Sequence, residues 1–306
     1  MPAEIARPVE RRFFFHANAV ALAAHIRRPE DFFVPAVASS CLPVTGGLAQ
    51  ADAPGQSFNG LISFGSASTH AKGDFVDQRT AAEYTRGNHG DNNLPTSTIV
   101  ESSMKSLKIN TPADPAGGAG RVFSIDNLVV RMENTSDRRS PTSFRSLYVT
   151  IDGVSVDGHL LLVKTNPEIF TENDTKKKLE ERFEDDSDFR KQFGQQFFYP
   201  GEPPEHGALE KLFSKHKIPE ADDLIYGTIV TSMTWASTAP DGAGIAGNEL
   251  KIPGLGSIYF GEIIIEEDFR RITLIRFQLG SPNGGDGAVC EAQSNGGTWP
   301  PQRGGL

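Results

Sequence analysis

The densest group of residues that could carry chemistry lies between positions 70 and 93. It contains His70, Asp74, His89 and Asp91 within a stretch rich in Gly and Asn. Imidazole and carboxylate groups bind divalent metals, and one of each can also act as an acid–base pair. The sequence therefore predicts a candidate metal site at His70, Asp74, His89 and Asp91. The alternative is a long solvated loop, because Asn, Asp and Gly are common turn formers.

A second motif, Gly242 to Gly247, has the spacing GxGxxG of a dinucleotide-binding loop. Such a loop binds a pyrophosphate only where it joins a strand to a helix. Residues 248–253 instead have a strand-like composition and end at Pro253. The motif therefore predicts a glycine-rich turn, and no organic cofactor is expected. No GxSxG, P-loop, HExxH or EF-hand pattern is present either, so no catalytic template identifies an enzyme or its catalytic residues.

The two cysteines, Cys41 and Cys290, are far apart in sequence and form no CxxC pair. A structural zinc site is therefore not indicated. We expect two buried free thiols in a reducing compartment, and one long-range disulfide is the alternative.

The N-terminal segment has one feature of an export signal. Arg11 and Arg12 precede Phe13–Phe15, as in a twin-arginine signal, but His16 and Asn18 interrupt the apolar run that follows. A signal peptide needs a continuous apolar core. We therefore expect a cytoplasmic protein, with export as the alternative.

Composition limits the possible classes. The chain has 306 residues, a net charge of −9 and 38% hydrophobic residues, which allows two domains or one large β domain. Because an acidic surface repels phosphate backbones, nucleic-acid binding is not expected. No apolar run approaches the length of a membrane-spanning helix.

The middle of the chain has the pattern of β-strands. Runs rich in Val, Ile, Leu, Phe and Thr predict strands at 60–65, 97–103, 121–132, 144–151, 154–156, 159–164, 224–235, 249–252, 257–266 and 270–279. The pairs Asp152-Gly153 and Asp157-Gly158 predict two tight turns, and hence a three-stranded meander over 144–164. A long hairpin is predicted around 267–269.

Helices are predicted in two regions. Ala17, Val20, Ala21 and Ala24 recur at helical spacing, which predicts a short helix over 17–28 that ends at Pro29. Residues 176–183, a segment capped by Ser187, and residues 209–213 predict three more helices in an acidic stretch. The predicted divisions are an arm with a linker (1–57), a first β unit (58–164), an acidic helical insertion (165–225), a second β unit (226–280) and a coil tail (281–306).

The two β units share an ordered set of features. Thr98-Ile99-Val100 is matched by Thr228-Ile229-Val230, and each is followed by a Thr, Pro, Asp and Gly-rich loop. Apolar strands and an Asp-Arg turn then recur in the same order over about 55 residues in each unit. This order predicts an internal duplication. We therefore expect a mainly β protein that forms a pseudo-twofold duplicated β-sandwich, or two small sandwiches in tandem, with a helical insertion and a short N-terminal helix.

The aromatic residues suggest what the protein binds. There are 20 Phe but only 5 Tyr and 2 Trp, which indicates buried packing, an apolar ligand or a protein partner rather than a sugar. Phe13–Phe15 and Phe32–Phe33 must pack on the body of the chain or on another subunit. We therefore expect a non-enzymatic binding or assembly protein, with a second copy of the chain among its candidate partners. The alternative is an enzyme or metal-dependent protein that uses the loop 70–91.

Overall fold

The computed structural model describes residues 12–76, 96–113, 120–136, 142–193, 197–198, 225–281 and 283–299. Over these residues the chain is mainly β, with two antiparallel sheets and three short helices. Sheet I contains nine strands: β1 (Arg12–Arg28), β2 (Phe32–Cys41), β10 (Phe197–Phe198), β11 (Ile225–Thr228), β13 (Gly244–Ala246), β14 (Glu249–Ile252), β15 (Gly256–Ile265), β16 (Phe269–Leu279) and β17 (Gly284–Trp299). Sheet II contains eight: β3 (Gly47–Phe58), β4 (Ile62–Phe75), β5 (Thr96–Thr111), β6 (Arg121–Ser136), β7 (Ser143–Asp152), β8 (Ser155–Val156), β9 (His159–Thr165) and β12 (Val230–Trp235).

The two sheets stack face to face and form one sandwich, which confirms the predicted fold class. Sheet I runs in the order β10-β11-β15-β16-β17-β1-β2, with the β13–β14 hairpin joined to β15. Sheet II runs β12-β9-β8-β6-β5-β4-β3, with β7 also paired to β6. Phe123 of β6 and Phe260 of β15 meet in the core with ring centroids 6.3 Å apart. The alternative of two tandem sandwiches is not what forms.

The predicted N-terminal helix over 17–28 is wrong, because these residues form β1. β1 lies inside sheet I between β17 and β2, so the segment is part of the body rather than an arm. Residues 35–57, predicted as a linker, form most of β2 and β3, and the predicted coil tail forms β17. Phe15 is buried within the chain's own core, as self-packing requires, whereas Phe33 is 72% exposed.

In sheet I, the alternation of inward- and outward-facing side chains shifts by one residue at the same level in neighbouring strands. The residue pairs on either side place five positions opposite one another, and we call them the bend row: Ala38, Ala21, Cys290, Leu274 and Gly261. Three of them have a positive φ, of 44° at Ala38, 52° at Cys290 and 60° at Gly261. At this line two consecutive residues of a strand point inward, as Ala21 and Leu22 do. Inward-facing positions are therefore odd-numbered in β1 before the row and even-numbered after it.

The two Asp-Gly pairs behave differently. Asp157 and Gly158, with φ of 51° and 82°, form the predicted tight turn between β8 and β9. The predicted hairpin at Asp152-Gly153 is wrong, because β7 and β8 both pair with β6 and continue in one direction. Gly153 has a φ of 67°, and a Cβ there would overlap the Asp126 side chain, so glycine marks a kink rather than a reversal.

Three helices follow β9: α1 (Glu168–Glu172), α2 (Lys176–Asp185) and α3 (Ser187–Phe193). The last two confirm the helices predicted at 176–183 and after 187. The cap of α3 is Asp186 rather than Ser187, because Asp186 Oδ1 accepts hydrogen bonds from the backbone N–H groups of Asp188 and Phe189. The bond from Phe189 is the main reason that the pKa of Asp186 is lowered. The helix predicted at 209–213 lies outside the described residues.

No helix among the described residues is long and apolar enough to cross a membrane.

Candidate interaction surface

A row of polar side chains crosses the outer face of sheet II, the face turned away from sheet I. Cross-strand registers place Gln50, His70, Glu101, Arg131 and Tyr148 side by side on β3, β4, β5, β6 and β7. Arg131 and Glu101 form an ion pair at 3.9 Å, and Tyr148 is 58% exposed. Surface ion pairs are worth little to stability, so this pair contributes little to holding the fold.

A shallow groove of about 430 Å³ lies beside this row on the same face. Its lining combines one carboxylate, one ammonium and three hydroxyls with small apolar groups: Asp52, Ala53, Pro54, Ser66, Ala67, Ser68, Ser103 and Lys105. Hydrogen bonds from Ser68 and Gln50 lower the pKa of Asp52, so this carboxylate is ionised at neutral pH. The groove therefore fits a polar surface better than an apolar ligand.

β3 forms one border of sheet II. Among the described residues it pairs with β4 alone, so its other side presents unpaired backbone groups. The segment Gly47–Ala53 contains no lysine, arginine or proline, although Asp52 adds one charge and Pro54 follows in the same strand. Leu48 in this segment is 61% exposed. The described backbone hydrogen bonds therefore leave this edge unpaired, although β2 lies beside β3.

Sequence reasoning missed this edge because the segment 35–57 was interpreted as a linker. A signal was present in the alternation Leu48-Ala49-Gln50-Ala51-Asp52-Ala53, in which a larger side chain alternates with alanine. Such alternation over six residues predicts a strand with two different faces. Alanine has low β-propensity, and this weakens the signal.

Two of the four predicted metal ligands lie in β4. His70 and Asp74 both face outward, and four residues of extended strand separate their Cα atoms by about 13 Å. The Asp74 carboxylate accepts a hydrogen bond from the backbone N–H of Phe75, and its Oδ2 lies 3.9 Å from Nζ of Lys72. His89 and Asp91 lie outside the described residues. Within the described part of the chain no three His, Cys, Asp or Glu residues are close enough to hold a metal ion, so the four-residue site stays a prediction.

The glycine motif forms a hairpin instead of a cofactor loop. Gly244–Ala246 is strand β13, and it pairs with β14, which directly follows it. Gly242 and Gly247 have φ of 72° and 58°, so glycine is used for the turns at either end. No helix follows the motif, and the predicted glycine-rich turn is what the structure contains.

Both cysteines are free, and the disulfide alternative is not formed. Cys290 is fully buried, and burial raises the pKa of its thiol to about 12. The expectation that both thiols are buried is wrong for Cys41, which lies exposed at the end of β2.

The family model described as Domain of unknown function (DUF8256) matches residues 13–266. The match covers most of the chain. This chain belongs to the DUF8256 family. No curated protein and no solved structure matches it. The DUF8256 range begins in β1 and ends just after β15, so it contains sheet II and part of sheet I. β16 and β17, which lie between β15 and β1 in the sheet, follow the matched range.

Proposed function

We propose that this protein is a non-enzymatic binding and assembly module that pairs through the free edge of β3. Its partner is a second copy of the chain, joined edge to edge so that sheet II continues across a two-fold axis. The observation that supports this most directly is the unpaired edge of Gly47–Ala53, with Leu48 61% exposed. Identical antiparallel edges meet symmetrically, which closes the assembly at two copies.

The direction of the backbone groups on β3 follows from Pro54. Proline has no N–H, and inside a sheet its nitrogen faces the open side of an edge strand. Hydrogen bonding to the neighbouring strand alternates along an antiparallel pair. Counting back by twos from Pro54, the N–H groups of Asp52, Gln50 and Leu48 face the open edge. These donors would bond to the carbonyl groups of the partner strand.

The side chains beside the edge would complete the contact. Leu48 from each copy would be removed from water, which is worth roughly 1.5–3 kcal/mol for a fully buried side chain. The groove formed by Asp52 and Lys105 lies on the same face and would meet polar groups of the partner. The contact would therefore combine backbone pairing with a mixed polar rim, as interfaces usually do.

Replacing Gln50 with proline is expected to convert the dimer into a monomer. Gln50→Pro removes one outward N–H but leaves the bonds to β4 in place, so the fold should remain. Gln50→Ala is the matched control, because it removes the same side chain and keeps the N–H. Light scattering across a concentration series should give twice the mass of one chain for the natural protein and for Gln50→Ala, and the mass of one chain for Gln50→Pro.

A natural protein that is monomeric at all concentrations, or a Gln50→Pro variant that stays dimeric, would overturn the proposal. A cooperative thermal unfolding transition of Gln50→Pro shows that any loss of mass does not come from unfolding. Metal analysis of the same sample addresses the alternative. One bound metal per chain would favour the metal-dependent function that uses the loop 70–91.

We also propose that the two β units arose by duplication. Strand order supports this, since β5-β6-β7 and β11-β15-β16 are both antiparallel triplets of neighbouring strands. Two features depart from it. β12 crosses to pair with β9, and the β13–β14 hairpin has no equivalent among the described residues of the first unit. Structural superposition of 98–151 on 228–279 is the test, and a different strand order would contradict it.

A cytoplasmic location is a further proposal. Disulfides form and persist in oxidising compartments, and here both cysteines remain free thiols. Cell fractionation that recovers the chain among exported proteins would contradict it.

A further inference from the structure

A cysteine, a histidine and an asparagine lie together on the outer face of sheet I. Asn18 of β1 stands directly opposite Cys41 of β2 in the strand register. His16 is two residues from Asn18 on the same face, which makes it the diagonal neighbour of Cys41. The intervening Ala17 and the neighbouring Ser40 are buried and face the core. Diagonal neighbours on a sheet are within reach of long and aromatic side chains.

The side chains of this cluster are already partly connected. The Asn18 amide lies 3.4 Å from Nε2 of His16. Nδ1 of His16 and Oδ1 of Asn18 are shielded from solvent and have no hydrogen-bond partner among the described residues. Such unpaired buried atoms are costly and need an explanation. A half-turn of the Asn18 amide lets Oδ1 accept from Nε2–H, and His16 then holds Nδ1 as an unprotonated base.

We propose that Cys41 is a reactive thiol that is modified by low-molecular-weight disulfides, with His16 as its base and Asn18 as a positioning residue. Cys41 is free and exposed, and its Sγ lies 3.9 Å from the carbonyl oxygen of Leu42, so the thiol must turn from that oxygen to reach His16. The thiolate is the nucleophilic form of cysteine, and an adjacent imidazole favours it by accepting the proton. A hydrogen bond to the second ring nitrogen holds the imidazole in one orientation and tautomer.

The proposed step is thiol–disulfide exchange. His16 Nδ1 takes the proton of the Cys41 thiol, and the thiolate attacks one sulfur of the small disulfide. A new S–S bond forms to Cys41 while the original S–S bond breaks. The released half leaves as a thiolate and takes the proton from His16. Cys41 is oxidised and the small disulfide is reduced, so no other oxidant is needed.

Few other charges face this cluster. β2 carries no charged residue. On the neighbouring strands the outward-facing charges nearest in register are Glu291 of β17 and Arg271 of β16, which lie 4.0 Å from each other and partly cancel. Among the described side chains, His16 is therefore the titratable group best placed to set the reactivity of Cys41.

The test is the alkylation rate of the full-length native protein with iodoacetamide between pH 5 and 10. At pH 7 Cys41 is expected to react faster than a free model thiol, N-acetylcysteine amide, under the same conditions. His16→Gln should slow the reaction at pH 7 about tenfold. Asn18→Ala should slow it by a smaller factor.

Two internal controls distinguish chemistry from unfolding. His25→Gln changes a histidine on the same strand and face, far from Cys41, and should react as the natural protein does. Buried Cys290 should stay unlabelled in every folded variant. Incubation with oxidised glutathione should add one glutathionyl group, at Cys41. A natural protein whose Cys41 reacts no faster than the model thiol, or equal rates for His16→Gln and His25→Gln, would overturn the proposal whatever the oligomeric state.

Discussion

Replacing Arg270 with methionine is expected to lower the free energy of unfolding by about 2–4 kcal/mol. Arg270 has no exposed surface, although it lies near the β15–β16 turn. Its guanidinium donates to the carbonyl oxygens of Glu266, Glu267 and Phe269 in its own turn and, at 2.7 Å, to that of Thr142 before β7. One side chain thus ties sheet I to sheet II.

The large cost follows from what methionine would leave behind. Burial lowers the pKa of Arg270 to about 10, so the side chain is still charged at neutral pH. The carbonyl group of Thr142, a buried residue, would lose its charged donor, which costs about 1–3 kcal/mol, whereas the Phe269 carbonyl would keep the N–H of Glu266. The contact of the guanidinium with the Phe144 ring, 5.3 Å from the ring centroid, would also be lost.

Arg271→Met is the matched control for this prediction. Arg271 is the next residue, has 41% of its side chain exposed, and among the described residues pairs with Glu291 at 4.0 Å. We expect its replacement to change stability by less than about 1 kcal/mol, since surface ion pairs contribute little. Urea unfolding followed by circular dichroism measures both variants. Similar midpoints for Arg270→Met and Arg271→Met would show that the buried guanidinium does not join the sheets.

Sequence reasoning succeeded where a strand keeps a strand-forming composition along its whole length. The predicted strands at 121–132, 144–151, 257–266 and 270–279 all exist, because they contain many β-branched or aromatic residues. It failed at β1, where every second residue is buried on each side of the bend row but the alternation shifts by one position at the row itself. Inward positions there are 15, 17, 19, 21, 22, 24 and 26. Positions 17, 21 and 24 of this series also fit a helix, and alanine favours that interpretation.

The candidate sites depended on information that no local pattern contains. His16, Asn18 and Cys41 are brought together by the β1–β2 register, although the chain between them includes 22 residues. His70 is next to Gln50 and Glu101 only because β4 lies between β3 and β5. Residue types could suggest each participant, but strand pairing decides which of them meet. Gly261 shows the same limit, because a glycine in a strand sequence does not indicate which side chain packs against it.

Gly261→Ala is expected to destabilise the fold by about 2–4 kcal/mol, since two effects act at one position. Gly261 is the bend-row residue of β15 and has a φ of 60°, which an L-residue adopts only with strain. An added Cβ would also lie 2.5 Å from Cγ1 of Ile229, a fully buried side chain. Position 261 of β15 therefore requires a residue that adopts a positive φ and has no Cβ.

A second glycine and a second site separate these two effects. Gly158→Ala imposes a similar backbone penalty, at a φ of 82°, but its Cβ would meet nothing within 4 Å, so it should cost only about 1–2 kcal/mol. Ile229→Ala removes the atoms that Gly261→Ala would strike. In a double-mutant cycle measured by urea unfolding, Gly261→Ala should therefore cost about 1–2 kcal/mol less in the Ile229→Ala background. Equal costs in both backgrounds would mean that crowding by Ile229 does not restrict position 261, and that backbone conformation alone selects glycine there.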